Sequence, residues 1–152
     1  MRFILTAAIL CAATPAWAIT FENVTWLRCY DGDTCAFNLP SIHPLFGKKI
    51  SVRIRGIDTP EIRGKCAAEK RKAEAARDFL RNLLRDAQRI DLVDAERRKY
   101  FRIVATVQAD GRNVAALMIE RGLARSYRGG KRKGGADPVH CEAVTIYRGN
   151  TT

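Results

Sequence analysis

Histidine is nearly absent: 152 residues hold two, His43 and His140, each beside or near a proline in a loop-like stretch. The chain has no H-E-x-x-H, no G-x-S-x-G and no glycine-rich phosphate loop. Zinc hydrolysis, serine-nucleophile chemistry and P-loop nucleotide binding are therefore poor fits. No C-x-x-C spacing is present, which argues against a structural zinc site. Acidic residues are outnumbered, 16 Asp and Glu against 27 Lys and Arg, for a net charge of +11. That balance favours a polyanionic partner: nucleic acid, an anionic membrane surface or a polysaccharide. Charge alone does not choose among them.

Long apolar runs are also missing. The longest, 3–13, is too short for a bilayer, which needs about 20 residues. It follows Arg2 and precedes Ala16-Trp17-Ala18, the small-x-small pattern of a signal-peptidase site. Residues 1–18 are thus expected to be a signal peptide. Residues 19–152 would then form one domain with a basic tail, placed in the periplasm or secreted. Leu10 before Cys11 argues against a lipoprotein signal. Of five cysteines, four remain: Cys29, Cys35, Cys66 and Cys141. An even count in a small exported domain suggests two disulfides, with three possible pairings. A turn centred on Gly32 would set Cys29 opposite Cys35, which leaves Cys66 for Cys141.

The pattern is mostly strand. Segments 24–30 and 34–39 flank Asp31-Gly32-Asp33, a hairpin signal. Residues 40–47, with two prolines and a glycine, read as a loop. In 49–57, Ile50, Val52 and Ile54 alternate with Arg53 and Arg55 until Gly56 disturbs the register. Residues 67–87 form the clearest helix, with Ala73, Ala76, Phe79, Leu80, Leu83, Leu84 and Ala87 on one face. Two more strands, 90–94 and 101–107, lead through Ala109-Asp110-Gly111 to a helix at 114–120. Gly122 stops that helix. Five strands with inserted helices, a mainly β, α+β class, predict a small, partly open barrel with helices packed on it.

Carboxylates and arginines carry the chemistry. Asp31-Gly32-Asp33-Thr34 sits at one turn and Asp58-Thr59-Pro60-Glu61 ends the alternating strand. Hard cations take oxygen ligands, and acids from two turns could converge on a calcium ion. Each motif alone also reads as plain turn or cap chemistry. Arg53 and Arg102 lie in or beside apolar strands, where a guanidinium calls for solvent or an anion. A metal with two arginines would stabilise the charge that gathers on phosphate oxygens during phosphodiester cleavage. Arg55, on the Arg53 face, is read as part of a solvated barrel surface. The segment Arg125, Arg128, Lys131, Arg132 and Lys133 reads either as extra phosphate affinity or as a solvated tail.

In order and rough spacing, five pieces resemble the staphylococcal nuclease family over about residues 21–128: Asp31-Gly32-Asp33-Thr34; the strand from Val52 to Asp58-Thr59-Pro60-Glu61; Lys99-Tyr100-Phe101-Arg102; Ala109-Asp110-Gly111; and Arg121-Gly122-Leu123-Ala124. The resemblance implies a five-stranded oligonucleotide-binding-type barrel with about three helices. It also implies calcium-dependent, sugar-nonspecific cleavage of DNA and RNA to 3′-phosphate and 5′-hydroxyl ends. Asp33 and Asp58 would be the calcium-binding carboxylates, Thr59 a backbone-carbonyl ligand, and Asp31 a supporting acid. Glu61 would orient or activate water, Arg53 and Arg102 would hold the phosphate, and Tyr100 would contact a nucleotide. Single-stranded substrate, a monomer and no membrane partner are expected. The chain departs from the family pattern in three ways. Phe101 stands where glycine is usual, Tyr127 is displaced from the usual tyrosine positions, and the 40–47 loop is longer, a candidate for reshaping the entrance to the site. The rival reading is an inactive barrel that only binds nucleic acid, which would be expected to lack part of this residue set.

Overall fold

The computed structural model describes residues 19–64, 66–98 and 102–128. Strands β1 (Ile19–Phe21) and β2 (Thr25–Cys29) are two arms of one bent segment. Asn23, at φ 50°, makes the bend, in a left-handed conformation that asparagine tolerates better than most residues. Its N–H donates to Asp91 Oδ1 at 2.8 Å, and Val24 N–H donates to Ile90 O at 2.8 Å. Strand β3 (Thr34–Asn38) runs antiparallel to β2, and β4 (Ile50–Ile54) antiparallel to β3.

Between β3 and β4 stands a four-residue helix, α1 (Pro44–Gly47). The sequence reads this stretch as loop, because one turn is too short to show periodicity and Pro44 resembles a breaker. At the first helical turn, however, a proline's missing N–H costs nothing. The β3–β4 register runs from Thr34↔Arg53 at one end to Phe37↔Ile50 at the other. The 40–47 segment joins the second end, so it does not stand at the entrance beside Arg53.

A short strand β5 (Ile57–Asp58) leads to helix α2 (Ala67–Asp86), then strands β6 (Ile90–Arg97) and β7 (Ile103–Ala109) form a hairpin. Strand β7 lies parallel to β4, a pairing that needs the long crossover α2 supplies. The sheet order is β1-β6-β7-β4-β3-β2. Its two edges are thus the two arms of the bent first strand, and the sheet curls on itself. With those arms taken as one, the expected five strands are present. Strand β8 (Arg112–Asn113) adds a flap on β7, helix α3 (Val114–Glu120) follows, and strand β9 (Arg125–Ser126) pairs with β5. This is the α+β, curled-sheet architecture that the pattern predicts, with the three helices that the family resemblance implies; the pattern by itself shows only α2 and α3.

Strand β6 runs three residues past its expected end because the chain bulges rather than stops. Asp94 takes φ 53° and the β6–β7 register shifts between Val93 and Glu96. Arg55 fills the bulge: it donates to Asp94 O at 2.6 Å and Val104 O at 3.4 Å, and pairs with Glu96 at 2.9 Å. Arg55 is therefore a clamp across three strands and not part of a solvated face.

The core forms between the concave side of the sheet and α2. Phe37, Val52, Ile54, Leu92 and Val107 meet Ala76, Leu80 and Leu84, and α3 adds Val114 and Met118. The expected Cys29–Cys35 disulfide is present, its Cα atoms 3.9 Å apart, with both cysteines buried. Cys66 is disulfide-bonded as well and caps α2 by accepting from Glu69 N–H at 3.4 Å. The expected partner Cys141 lies outside the described residues, as do the expected signal peptide at 1–18, Lys131, Arg132, Lys133 and Tyr100. No helix among the described residues is long and apolar enough to cross a membrane.

Candidate active site

The two acidic turns meet because Gly32 lets them. A Cβ at Gly32 would stand 2.9 Å from Ala76 Cβ and 2.9 Å from Thr59 Cγ2, closer than real Cβ contacts allow. With only a hydrogen there, the Asp31-Gly32-Asp33 turn seats on α2 and against the Asp58-Thr59 turn. A backbone bond from Ile54 N–H to Asp33 O, 2.8 Å, ties the first turn to the end of β4.

Asp33 and Asp58 are both buried, at 2% and 4% exposure. Arg53 joins them: its Nη2 lies 2.8 Å from Asp33 Oδ2 and 3.0 Å from Asp58 Oδ1. The other Asp33 oxygen accepts from the Thr34 hydroxyl at 2.9 Å. Asp31 Oδ1 accepts from Asp33 N–H at 3.1 Å, which ties the first carboxylate of the turn to the turn's own backbone. Burial pushes the Asp33 carboxyl up to about 6, and the charges of Asp31 and Asp58 push the same way. Arg53 and the Thr34 hydroxyl offset only part of this. Burial, the largest of these effects, leaves the charged form of Asp33 poorly solvated.

Arg125 also reaches the centre, a residue the sequence places only in a basic tail. Strand β9 pairs Arg125 with Asp58, and its Nη2 lies 3.0 Å from Asp58 Oδ2. Sixty-seven residues separate the two, and β9 is only two residues long. No hydrophobic pattern announces such a bridge.

The remaining candidates are placed as follows. Thr59 is buried beside Asp58. Glu61 is exposed on the turn that follows, and that turn closes with Gly64 N–H donating to Glu61 O at 2.8 Å. Gly64 leaves the room that the Glu69 carboxylate occupies. Arg102 is exposed and stands one residue before β7, on the strand beside β4. Arg128 is exposed just past β9. Asp110 serves the fold: its Oδ1 accepts from both Gln88 and Arg89 N–H at 2.9 Å.

Among the described residues, no group of three or more His, Cys, Asp or Glu side chains is placed to hold a metal ion; a guanidinium bridges the acidic pair instead. The donor chemistry nonetheless fits a hard dication. The donors are oxygens only, and the raised Asp33 carboxyl marks a buried site where one more positive charge would be stabilising.

A curled five-stranded barrel here gathers carboxylates and arginines at the end of its central strands, a charged site suited to a cation or an anion. Comparison with known proteins makes the class specific. The chain belongs to the staphylococcal nuclease homologue family, whose model matches residues 51–143. It is 33% identical over 138 residues to Protein ParB of Escherichia coli, covering 84% of this chain and 69% of that protein. It is 33% identical over 106 residues to Endonuclease YncB of Bacillus subtilis (strain 168), covering 68% of this chain and 47% of that protein. The domain is therefore of nuclease type, with nucleic acid as its class of substrate.

Proposed function

We propose that this protein is an exported, calcium-dependent, sugar-nonspecific endonuclease that hydrolyses DNA and RNA to 3′-phosphate and 5′-hydroxyl ends. The observation that carries the reading is the convergence of Asp33 and Asp58, from separate turns, on one guanidinium at the end of β4. Asp33, Asp58 and the backbone carbonyl of Thr59 would hold the calcium ion, which supplies charge neutralisation at the carboxylates and against the phosphate.

The chain's own groups supply the rest. Arg53 in β4 and Arg102, one residue before the neighbouring β7, grip the phosphate oxygens and stabilise the charge that builds there in the transition state. Glu61, exposed on the turn after Asp58, takes a proton from the attacking water. The water oxygen bonds to phosphorus, the bond from phosphorus to the 5′-oxygen breaks, that oxygen takes a proton from solvent to become the 5′-hydroxyl, and the phosphate stays on the 3′-oxygen. Arg125 holds the far oxygen of Asp58 and so fixes that carboxylate's orientation. Tyr100, Arg128, Lys131, Arg132 and Lys133 extend the contact with the polymer. The protein acts as a monomer, prefers single-stranded substrate and works outside the cytoplasm once residues 1–18 are removed.

Digestion of single-stranded DNA by residues 19–152, in calcium or in a chelator and alongside Glu61→Ala, tests the reading. Cleavage that needs calcium and collapses in the variant supports it. Binding without cleavage under every condition would mean an inactive barrel.

A further inference from the structure

The sheet carries a second chemical feature on the face that presents Arg53. Strand pairing sets Cys29 opposite Cys35, and Tyr30 N–H donates to Thr34 O at 2.9 Å. Thr34 in turn is paired with Arg53. Tyr30, the residue after β2, thus lies in one row with Thr34 of β3 and Arg53 of β4, and alternation sets that row on the side opposite the buried disulfide. Two strand spacings separate Tyr30 from Arg53, about 10 Å. Tyr30 is 51% exposed, a large aromatic ring in water one residue from the acidic turn. Arg28, two residues back and on the same side, places its guanidinium 4.7 Å from the centroid of the Tyr30 ring and donates from Nη2 to the phenolic oxygen at 2.6 Å. The guanidinium covers one part of the ring and holds it in place. Behind them Arg81 of α2 donates to Cys29 O at 2.9 Å, bringing another cation to the same shoulder.

We propose that Tyr30, held by Arg28, is a base-stacking subsite for the nucleotide next to the one whose phosphate Arg53 grips. The proposal rests on the reading of Arg53 as the phosphate-binding centre. A fixed aromatic ring beside cations is what a single strand uses: a π-face for a base and positive charge for the flanking phosphate. Such a platform accepts any base and either sugar, as a sugar-nonspecific enzyme requires. The ordering also matters energetically, because a ring already held loses little freedom when a base settles on it.

The test compares residues 19–152 with Tyr30→Ala and Tyr30→Trp. Binding is followed by fluorescence anisotropy in a chelator, with one labelled single-stranded oligonucleotide and the same oligonucleotide made abasic at its central positions. Tyr30→Ala is expected to weaken binding to the normal oligonucleotide about tenfold and to the abasic one less than about twofold, and Tyr30→Trp to restore it. Equal weakening on both, or none on the normal strand in a variant with unchanged thermal unfolding, overturns the subsite. Cleavage by the wild-type chain in calcium is scored separately. Its absence would sink the phosphodiesterase reading while a base-dependent Tyr30 effect still stands.

Discussion

Replacing Arg53 with methionine removes the one group that joins the two buried acids while nearly keeping its volume. The Arg53 Nη2 contacts are 2.8 Å to Asp33 and 3.0 Å to Asp58, with those side chains 3% and 5% exposed. Breaking a buried ion pair by removing one partner costs about 3–5 kcal/mol, because the other charge is left uncompensated. Two features of this site pull the cost toward the lower end. Asp58 keeps Arg125 at 3.0 Å. Asp33, already raised to about 6, escapes the penalty by taking up a proton once the pH falls below that value.

The loss should therefore depend on pH. At pH 8 in a chelator we expect about 3 kcal/mol, a fall of roughly 10 °C in Tm for a domain of this size. At pH 5, with Asp33 protonated in both proteins, the gap should shrink to about 1 kcal/mol or less. Thermal unfolding followed by circular dichroism reads both values. An equal gap at the two pH values, or a variant more stable than wild type at pH 8, would refute the account of Asp33 as a buried carboxylate that depends on Arg53. The same variant should lose about 100-fold or more in kcat, the scale of removing one charged donor from a transition state.

Asp33→Asn tests the same centre from the acid side. The folded carboxyl is raised to about 6 from 3.8, so the native state binds the proton more tightly and metal-free wild type loses stability as pH rises from about 4 to about 6. The variant should lack that decline in urea titrations across the window, and it should no longer gain Tm from calcium. Gly32→Ala places a methyl 2.9 Å from Ala76 and from Thr59. An overpacking cost of about 1–3 kcal/mol is expected, together with loss of calcium-induced stabilisation as the two turns are pushed apart. Removing the Cys29–Cys35 bond, which closes a loop of sequence separation 6, with a paired Cys29→Ala/Cys35→Ala change should cost about 2 kcal/mol on the chain-entropy estimate. Chemical denaturation with no change in cleavage products checks it.

Much of this was legible from local signals, and the failures have a common cause. Asp-Gly turns, the alternation of Ile50, Val52 and Ile54, and the apolar face of α2 each depend on neighbours in sequence, and each is where the pattern places it. Arg125 and Arg55 were missed because their partners are distant: Asp58 lies 67 residues from Arg125 and Glu96 lies 41 from Arg55. A guanidinium on a strand reads as solvated until a bulge such as the one at Asp94 gives it carbonyls to hold. The meeting of the two acidic turns is a packing event, set by the missing side chain of Gly32 against Ala76, and nothing in either motif encodes it. The longer 40–47 segment reads as a candidate for the entrance because length alone does not say which end of a hairpin a loop closes. The β3–β4 register decides that.

The charge layout separates capture from cleavage. Across the whole chain the balance is +11, so a polyanion is drawn in by counterion release whether or not a dication is present. At the centre that excess is gone: the buried carboxylates of Asp33 and Asp58 are matched by the guanidinium groups of Arg53 and Arg125. A phosphate gains little extra attraction there, because both guanidinium groups are already paired with carboxylates, and the basic surface supplies most of the pull. On the proposed reading, binding and hydrolysis then respond to different ions. Raising sodium chloride from about 50 to 200 mM in a chelator should weaken oligonucleotide binding by about 100-fold or more while leaving none of it dependent on calcium. Cleavage at fixed low salt should instead follow calcium and fall as the pH drops below about 6, where a proton on Asp33 competes with the metal. Oligonucleotide affinity that rose steeply with calcium and ignored sodium would mean that the acidic centre, and not the basic surface, collects the strand, and this division of labour would be wrong.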